Sequence, residues 1–269
     1  MYPYLFRIFS RDIPSYGVCM LLAFFLVFAL SVRRAKQKSI VMEDVIIVGV
    51  TAVANAIFLA KLLYILVTYT WADITAMLAS GDFSFLTGDG LVFYGGLIGG
   101  ILGAFLGARI AGLPLASLES SIVPFLPLGH AIGRIGCALA GCCYGIEYDG
   151  PGAIYYPDTV FPFPADVGYF PVQFVEAFFD ICIMLCLLFW SKKELKSWTL
   201  LFRYLFLYSI LRFCTECLRG DAVRGQFFAL TTSKWISIFL FCLSLAFFVM
   251  QKIRYKSSEK TMTNKNGPA

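Results

Sequence analysis

Apolar residues in this chain fall into long unbroken runs, not into the alternation of a half-buried strand or the single stripe of a surface helix. Seven runs stand out, at 16–32, 43–67, 92–111, 121–141, 171–190, 198–217 and 233–251, each bounded by charges or by Pro/Gly breaks. Crossing the hydrocarbon layer takes ~20 predominantly apolar residues in a helix. The pattern therefore predicts an all-α integral membrane protein, a bundle of about seven transmembrane helices. The fourth run is the least regular, with Pro124 and Pro127 near its start and Gly129, Gly133, Gly136, Gly141 and Gly145 along it. A single membrane domain over 1–251 is expected, followed by a cytoplasmic, disordered tail over 252–269 rich in Lys, Ser, Thr and Asn.

Composition excludes a soluble globular fold. Of 269 residues 59% are hydrophobic and 14% charged, with mean hydropathy +0.77, whereas a soluble chain runs near ~25% charged. The position of the charges gives the orientation, because cytoplasmic loops retain Lys and Arg. Arg33, Arg34, Lys36 and Lys38 follow the first run, Lys192, Lys193 and Lys196 the fifth, and Lys252, Arg254, Lys256, Lys260 and Lys265 fill the tail. The loop 68–91 carries Asp73, Asp82 and Asp89, and 146–170 carries Glu147, Asp149, Asp158 and Asp166, both without Lys or Arg. The N-terminus is thus expected outside and the C-terminus in the cytoplasm. The net charge of +5 reads as this topology signal and as contact with anionic lipid; no nucleic-acid partner is expected, since no base-reading motif is present. More positive charge follows the first run than precedes it and no small-residue cleavage site is in sight, so it is expected to stay as a helix.

Ionisable residues inside the runs are few, and such residues are costly in a membrane and mark functional interiors. They are Lys61, His130, Arg134, Glu176, Asp180, Arg212 and Glu216. Helical spacing puts Gln173, Glu176 and Asp180 on one side of the fifth run, and Arg212, Glu216 and Arg219 on one side of the sixth. Two readings stay open: an internal ion pair that holds the bundle, or an interior in which guanidiniums grip a phosphate. In the third run Gly95, Gly99, Gly103 and Gly107 recur at steps of four, a ladder that lets another helix approach closely. At its outer end Phe93-Tyr94-Gly95-Gly96 sets a tyrosine hydroxyl beside permissive backbone.

Of nine cysteines, Cys19, Cys182, Cys186, Cys214, Cys217 and Cys242 lie inside apolar runs and read as small hydrophobes. Cys137, Cys142 and Cys143 sit instead in the Gly-rich stretch beside Arg134. With His130 they supply metal-ligand types. The spacing argues against a metal, because no Cys-x-x-Cys pair occurs, the adjacent Cys142 and Cys143 point apart on a helix, and His130 is the sole histidine. No metal, cofactor or vicinal-thiol chemistry is expected.

Five short segments in order resemble the bacterial prolipoprotein diacylglyceryl transferases, and the likeness runs from Tyr4 to about Met250. They are Ile13-Pro14-Ser15-Tyr16-Gly17 with Arg33-Arg34-Ala35 at the other end of that helix; Phe93-Tyr94-Gly95-Gly96-Leu97-Ile98-Gly99; Gly133-Arg134-Ile135-Gly136-Cys137 through Gly145; Pro171-x-Gln173-x-x-Glu176; and Leu211-Arg212-Phe213-x-x-Glu216-x-x-Arg219. The chain departs from the family pattern at Tyr94 for histidine, Cys137 for asparagine, Cys142 for glutamate, Lys61 for arginine and Lys234 for glutamine. It is similar to a divergent branch.

The resemblance implies transfer of the diacylglyceryl group of phosphatidylglycerol to the cysteine thiol of a lipobox-bearing prolipoprotein in the bacterial cytoplasmic membrane. Glycerol phosphate leaves and a thioether forms. On this reading Arg134 and Arg212 hold the phosphate, Glu216 orients Arg212, and Tyr16 and Tyr94 position the thiol or relay its proton. Gly95, Gly96, Cys137, Cys142, Gly145, Gln173, Glu176 and Arg219 would line the substrate site, with Gly145 allowing the headgroup close to backbone. Two alternatives remain: a transferase on the same scaffold with another acceptor, and a non-enzymatic phospholipid-binding or translocating protein.

Overall fold

The computed structural model describes residues 2–8, 11–87, 90–156, 164, 166–192, 197–220, 226–228 and 230–265. Asp89, Asp158, Lys193 and Lys196, used above to orient the loops, lie outside the described residues, as does the end of the tail from 266. The chain divides into two compact units, Met1–Val27 with Ile122–Ala269, and Phe28–Ser121, where the sequence suggested a single domain.

In the first unit a hairpin of β1 (Tyr4–Ile8) and β2 (Arg11–Pro14) leads into α1 (Ser15–Gln37), and an Arg7–Asp12 ion pair at 2.9 Å ties the hairpin across its turn. α1 continues into the second unit, where α2 (Met42–Thr68), α3 (Trp71–Ala79), α4 (Ser84–Thr87) and α5 (Phe93–Ile110) follow. α6 (Leu115–Ile122), a 3-10 turn (Val123–Phe125) and α7 (Leu126–Ala140) replace the single fourth helix expected from the sequence. Pro124 has no N–H for the helical ladder, which breaks there, and Pro127 is accommodated in the first turn of α7, where its missing donor costs nothing. α8 (Val172–Trp190), α9 (Thr199–Glu216), a small hairpin of β3 (Gln226–Phe227) and β4 (Leu230–Thr231), and α10 (Thr232–Lys265) complete the chain.

Among the described residues five stretches are long and apolar enough to cross a membrane: Ser15–Gln37, Met42–Thr68, Ala116–Ala140, Val172–Trp190 and Thr232–Arg254. The two other predicted runs are also helical, but α5 is shorter and α9 carries Arg203, Arg212 and Glu216 along its 18 residues. α10 runs helical through Lys265, into the segment for which the sequence suggested a disordered tail. No Pro or Gly interrupts the stretch before Gly267 and Pro268, and its Lys, Arg, Glu and Met residues favour helix.

The glycine ladder does what its spacing predicts. An added Cβ would lie 2.8 Å from Ala60 Cα at Gly95, 2.9 Å from Ala56 Cα at Gly99, 2.8 Å from Ala52 Cα at Gly103 and 2.7 Å from Val48 Cα at Gly107. The α5 backbone thus rests directly on α2. The loop 68–91, read only as acidic and outward, holds α3, started by a capping box in which Thr70 and Asp73 bond each other's backbone N–H. In the first unit Val123, Ile183, Leu187, Leu200 and Tyr204 form a buried cluster between the turn before α7, α8 and α9. Phe202 stacks on Phe247 at 3.9 Å and Phe206 on Phe241 at 5.1 Å, which seats α10 against α9.

A side chain in the ladder must push α2 and α5 apart. Gly103→Val is expected to lower stability by about 1–3 kcal/mol, seen as a lower melting temperature in detergent. Gly100→Ala, whose added Cβ would find only Ala56 Cβ at 3.8 Å, is expected to melt as the parent does.

Candidate functional site

The first unit gathers most of the intramembrane charge at one place. Glu176, buried on the face of α8 that also carries Gln173 and Asp180, is shared by two arginines. Its Oε2 meets Arg134 Nε of α7 at 2.5 Å, and its Oε1 meets Arg212 Nη1 of α9 at 2.7 Å. Thr215 Oγ1 donates to the same Oε1 at 2.5 Å. Arg212 Nη2 pairs with Glu216 Oε2 at 2.7 Å and donates to Ser233 Oγ of α10 at 3.2 Å. Three helices therefore meet at one carboxylate and α10 joins them through Arg212, with two guanidiniums balancing two carboxylates.

The arginines are not equivalent. Both Nη groups of Arg212 are engaged, and its side chain is 10% exposed. Arg134 is pinned through Nε, its side chain is 19% exposed, and neither of its Nη groups makes a hydrogen bond among the described residues. A guanidinium held by one edge with its fork of donors open is suited to an anionic oxygen. Glu216 is the ion-pair partner of Arg212, while the bridging of both arginines by Glu176, expected only in the lining, was missed. The ion-pair reading describes Glu176, Arg212 and Glu216, while the donors that Arg134 keeps open leave the phosphate reading available.

The helix α7 ends sooner than the sequence suggested. Gly141 is left-handed at φ +73°, and Cys142 N–H bonds Cys137 C=O at 3.0 Å, the closing bond of a Schellman cap. The small-residue row Gly133, Cys137, Gly141, Gly145 therefore ends at the cap. Cys143 is also left-handed at φ +58°, a conformation that costs a residue with a side chain ~1–3 kcal/mol. Cys142 and Cys143 are not on a helix and do not point apart. The sulfurs of Cys137, Cys142 and Cys143 all lie within 4.8 Å of one another, and none is in a disulfide. Hydrogen bonds from the Cys137 and Cys142 thiols hold Cys143 below the usual thiol range, helped by Arg219 and Arg134 and opposed by burial. His130 stands apart: its Nδ1 is 2.9 Å from Tyr204 OH, and its ring lies on Tyr208 with centroids 4.8 Å apart.

Several expected lining residues turn out to hold the protein together. Gln173, fully buried, donates through Nε2 to Cys142 O at 3.0 Å and to Tyr156 OH at 3.1 Å, which clamps the loop after α7 onto the first turn of α8. A Cβ at Gly145 would lie 2.9 Å from Phe170 Cβ and 3.0 Å from Phe170 C, so the approach of Phe170 is by itself enough to require a glycine there. Arg219 is off α9, in a bridge with Gly145, and acts electrostatically on Glu176 and Cys143. Tyr16, 41% exposed at the start of α1, lies within electrostatic range of Arg134 and the three cysteines. Tyr94, 42% exposed, Gly95 and Gly96 belong to the second unit. Gly95 is used in packing on α2, and an added Cβ at Gly96 would make only ordinary contact with Ala60 Cβ at 3.7 Å.

Comparison with known proteins agrees along nearly the whole chain. The family described as prolipoprotein diacylglyceryl transferase matches residues 3–250. A protein of Clostridium perfringens (strain 13 / Type A) named phosphatidylglycerol–prolipoprotein diacylglyceryl transferase 2 is 33% identical over 248 residues, 92% of this chain and 94% of its own. Phosphatidylglycerol–prolipoprotein diacylglyceryl transferases of Clostridium tetani (strain Massachusetts / E88) and Dehalococcoides mccartyi (strain ATCC BAA-2266 / KCTC 15142 / 195) are similar at 30% and 28% identity, covering 94% and 96% of this chain and 99% and 96% of their own.

Removing the shared carboxylate leaves two cations facing each other in a dry interior. Glu176→Gln is expected to cost about 3–5 kcal/mol, as breaking a buried pair does, read as a large drop in detergent melting temperature. A variant that melts within a degree or two of the parent would show that the arginines find other partners.

Proposed function

The chain belongs to the prolipoprotein diacylglyceryl transferase family, and on that footing we propose that it moves the diacylglyceryl group of phosphatidylglycerol onto the cysteine thiol of a prolipoprotein. It is a transferase and a multi-pass membrane protein. The observation that carries the chemical assignment is Arg134, fixed by Glu176 through Nε, with a partly accessible Nη fork that makes no hydrogen bond among the described residues.

The reaction displaces phosphate from a glycerol carbon. It needs a thiolate, since free cysteine titrates near ~8.5 and only the anion attacks well, and it needs the leaving phosphate stabilised. Arg134 supplies two parallel donors to the phosphate oxygens as the carbon–oxygen bond breaks, an interaction that strengthens as charge builds. Arg212 acts through Glu176: bound there and to Glu216 and Ser233, it is a positioning residue that keeps the carboxylate where it pins Arg134. Tyr16 orients the acceptor near Arg134. The role of Tyr94 rests on the resemblance alone. The lipobox acceptor, the seven-span topology with the N-terminus outside, and the bacterial cytoplasmic membrane as location complete the reading. The loop charges support that topology, and the bacterial relatives support the location.

The purified protein, given phosphatidylglycerol and a lipobox peptide, is expected to yield a thioether-linked diacylglyceryl peptide, detected by mass. Arg134→Lys is expected to cut turnover by ~10²–10³-fold, the cost of losing a directed donor to developing charge, with melting nearly unchanged. Arg212→Lys is expected to lower both turnover and melting temperature. Absence of product from any cysteine peptide, with turnover of phosphatidylglycerol intact, would point to another acceptor.

A cysteine introduced at Asp82 is expected to react with a membrane-impermeant maleimide added outside intact cells, and one at Lys192 is not. The reverse pattern would invert the topology.

A further inference from the structure

The three converging thiols on the first unit have no part in the mechanism so far. Cys137 is buried on the last turns of α7, whereas Cys142 and Cys143 are partly accessible. The cluster is a consequence of two left-handed residues, Gly141 and Cys143, which bring side chains from both sides of a helix end to one point. The backbone there is well fixed: Cys142 N–H is held by Cys137 C=O, and Cys142 C=O by Gln173 Nε2, both at 3.0 Å. Small residues filling a helix end would not require sulfur at all three places or a strained backbone at one of them.

Zinc binds thiolate at ~2.3 Å in tetrahedral geometry, which sets sulfurs ~3.8 Å apart. The largest separation here is within 4.8 Å, so modest rotations about the side-chain torsions close the set. Structural zinc sites have four protein ligands, and sites with three keep a fourth position open for water or substrate. Among the described residues the cluster has three members, all sulfur, a set that selects zinc over hard cations. Three thiolates against a dication leave one surplus negative charge, which the neighbouring Arg219 offsets.

We propose that Cys137, Cys142 and Cys143 form a three-thiolate zinc site whose open fourth position binds the acceptor thiol of the transfer reaction. The identity of that fourth ligand rests on the transferase reading above; the three-thiolate site does not. A thiol that coordinates zinc is deprotonated outright, its proton passing to water. The metal-held sulfur then attacks the glycerol carbon with one electron pair, forming the carbon–sulfur bond. The carbon–oxygen bond breaks with its electrons going to the phosphate, which leaves as glycerol phosphate against Arg134. The neutral thioether product is a poorer ligand than the thiolate and dissociates. No electrons are gained or lost overall.

The test uses the full chain in detergent, freshly reduced, with Co2+ alone as the first probe. One equivalent is expected to bind and to give thiolate-to-cobalt charge-transfer absorption of the strength of three sulfurs. Cys137→Ser, Cys142→Ser and Cys143→Ser are each expected to abolish it, and Cys242→Ser, on the exposed face of α10, to leave it intact. Titration of the unaltered chain with Cd2+ counts the coordinating thiolates without any variant having to fold. Adding a lipobox peptide is expected to shift the cobalt bands, and the same peptide with serine for cysteine is not. Zinc-reconstituted protein is expected to lipidate the cysteine peptide at least ~10-fold faster than chelator-stripped protein, taking the loss seen when a metal site is weakened. No thiolate band in reduced protein, a band that survives the three serine variants, a Cys–Cys disulfide in place of metal, or equal lipidation by stripped and reconstituted protein would each overturn the proposal. Bands that respond to the cysteine peptide in protein that never forms lipidated product would sustain the site and overturn the transferase reading instead.

Discussion

Glu176 is one carboxylate neutralising two guanidiniums from different helices, and the arrangement of the first unit depends on it. A lone arginine or carboxylate inside a membrane is expensive, and a carboxylate with one partner still has lone pairs to satisfy. Here Oε1 takes Arg212 and Thr215, Oε2 takes Arg134, and Glu216 takes the second edge of Arg212. The charges close, and α7, α8, α9 and the start of α10 are drawn to the same point. Buried ion pairs often add little net stability over a well-packed apolar core. Their use in this protein is geometric: with Nε fixed, the direction in which Arg134 offers its remaining donors is fixed as well.

The sequence was informative wherever one local rule governs the outcome. Several runs of apolar residues near the membrane thickness became helices within a few residues of their expected limits, as in α2, α5, α8 and α9, because hydrocarbon leaves the backbone no other partner. The steps of four in Gly95, Gly99, Gly103 and Gly107 gave the packing face of α5 correctly, since only hydrogen fits where α2 approaches. Gln173, Glu176 and Asp180 all proved buried on one face of α8. Each of these follows from period and residue size.

What the sequence concealed lies where two rules compete. Gly141 could continue a glycine-rich row or cap a helix, and as a cap it moved Cys142, Cys143 and Gly145 off the helix. Reading the row as continuous made the adjacent cysteines diverge and hid the thiol cluster. Pro124 could mark a kinked span or a break, and the 3-10 turn resolved it as a break. Arg219 shares helical spacing with Arg212 and Glu216, but the helix stops before it and a bridge to Gly145 takes over. Glu176 looked like lining because spacing says which face a carboxylate is on and nothing about how many cations from other helices meet it.

On the proposed reading, the departures from the family pattern at Tyr94, Cys137 and Cys142 share one chemical logic. A phenol is a poor general base, so on the proposed reading a chain with tyrosine at position 94 makes the acceptor thiolate by another means. Positive charge alone has a limit, since the nucleophilicity of a thiolate falls as its pKa falls and the proposed reading assigns Arg134 to the leaving phosphate. A soft metal separates the two demands, because it holds the sulfur as the anion while leaving a lone pair for attack, and it does so without a general base. The residues that differ at 137 and 142 are those that, with Cys143, converge beside Arg134. The donor side of the chemistry, centred on Arg134 and Glu176, can then stay as it is while the acceptor side changes its means of making a thiolate.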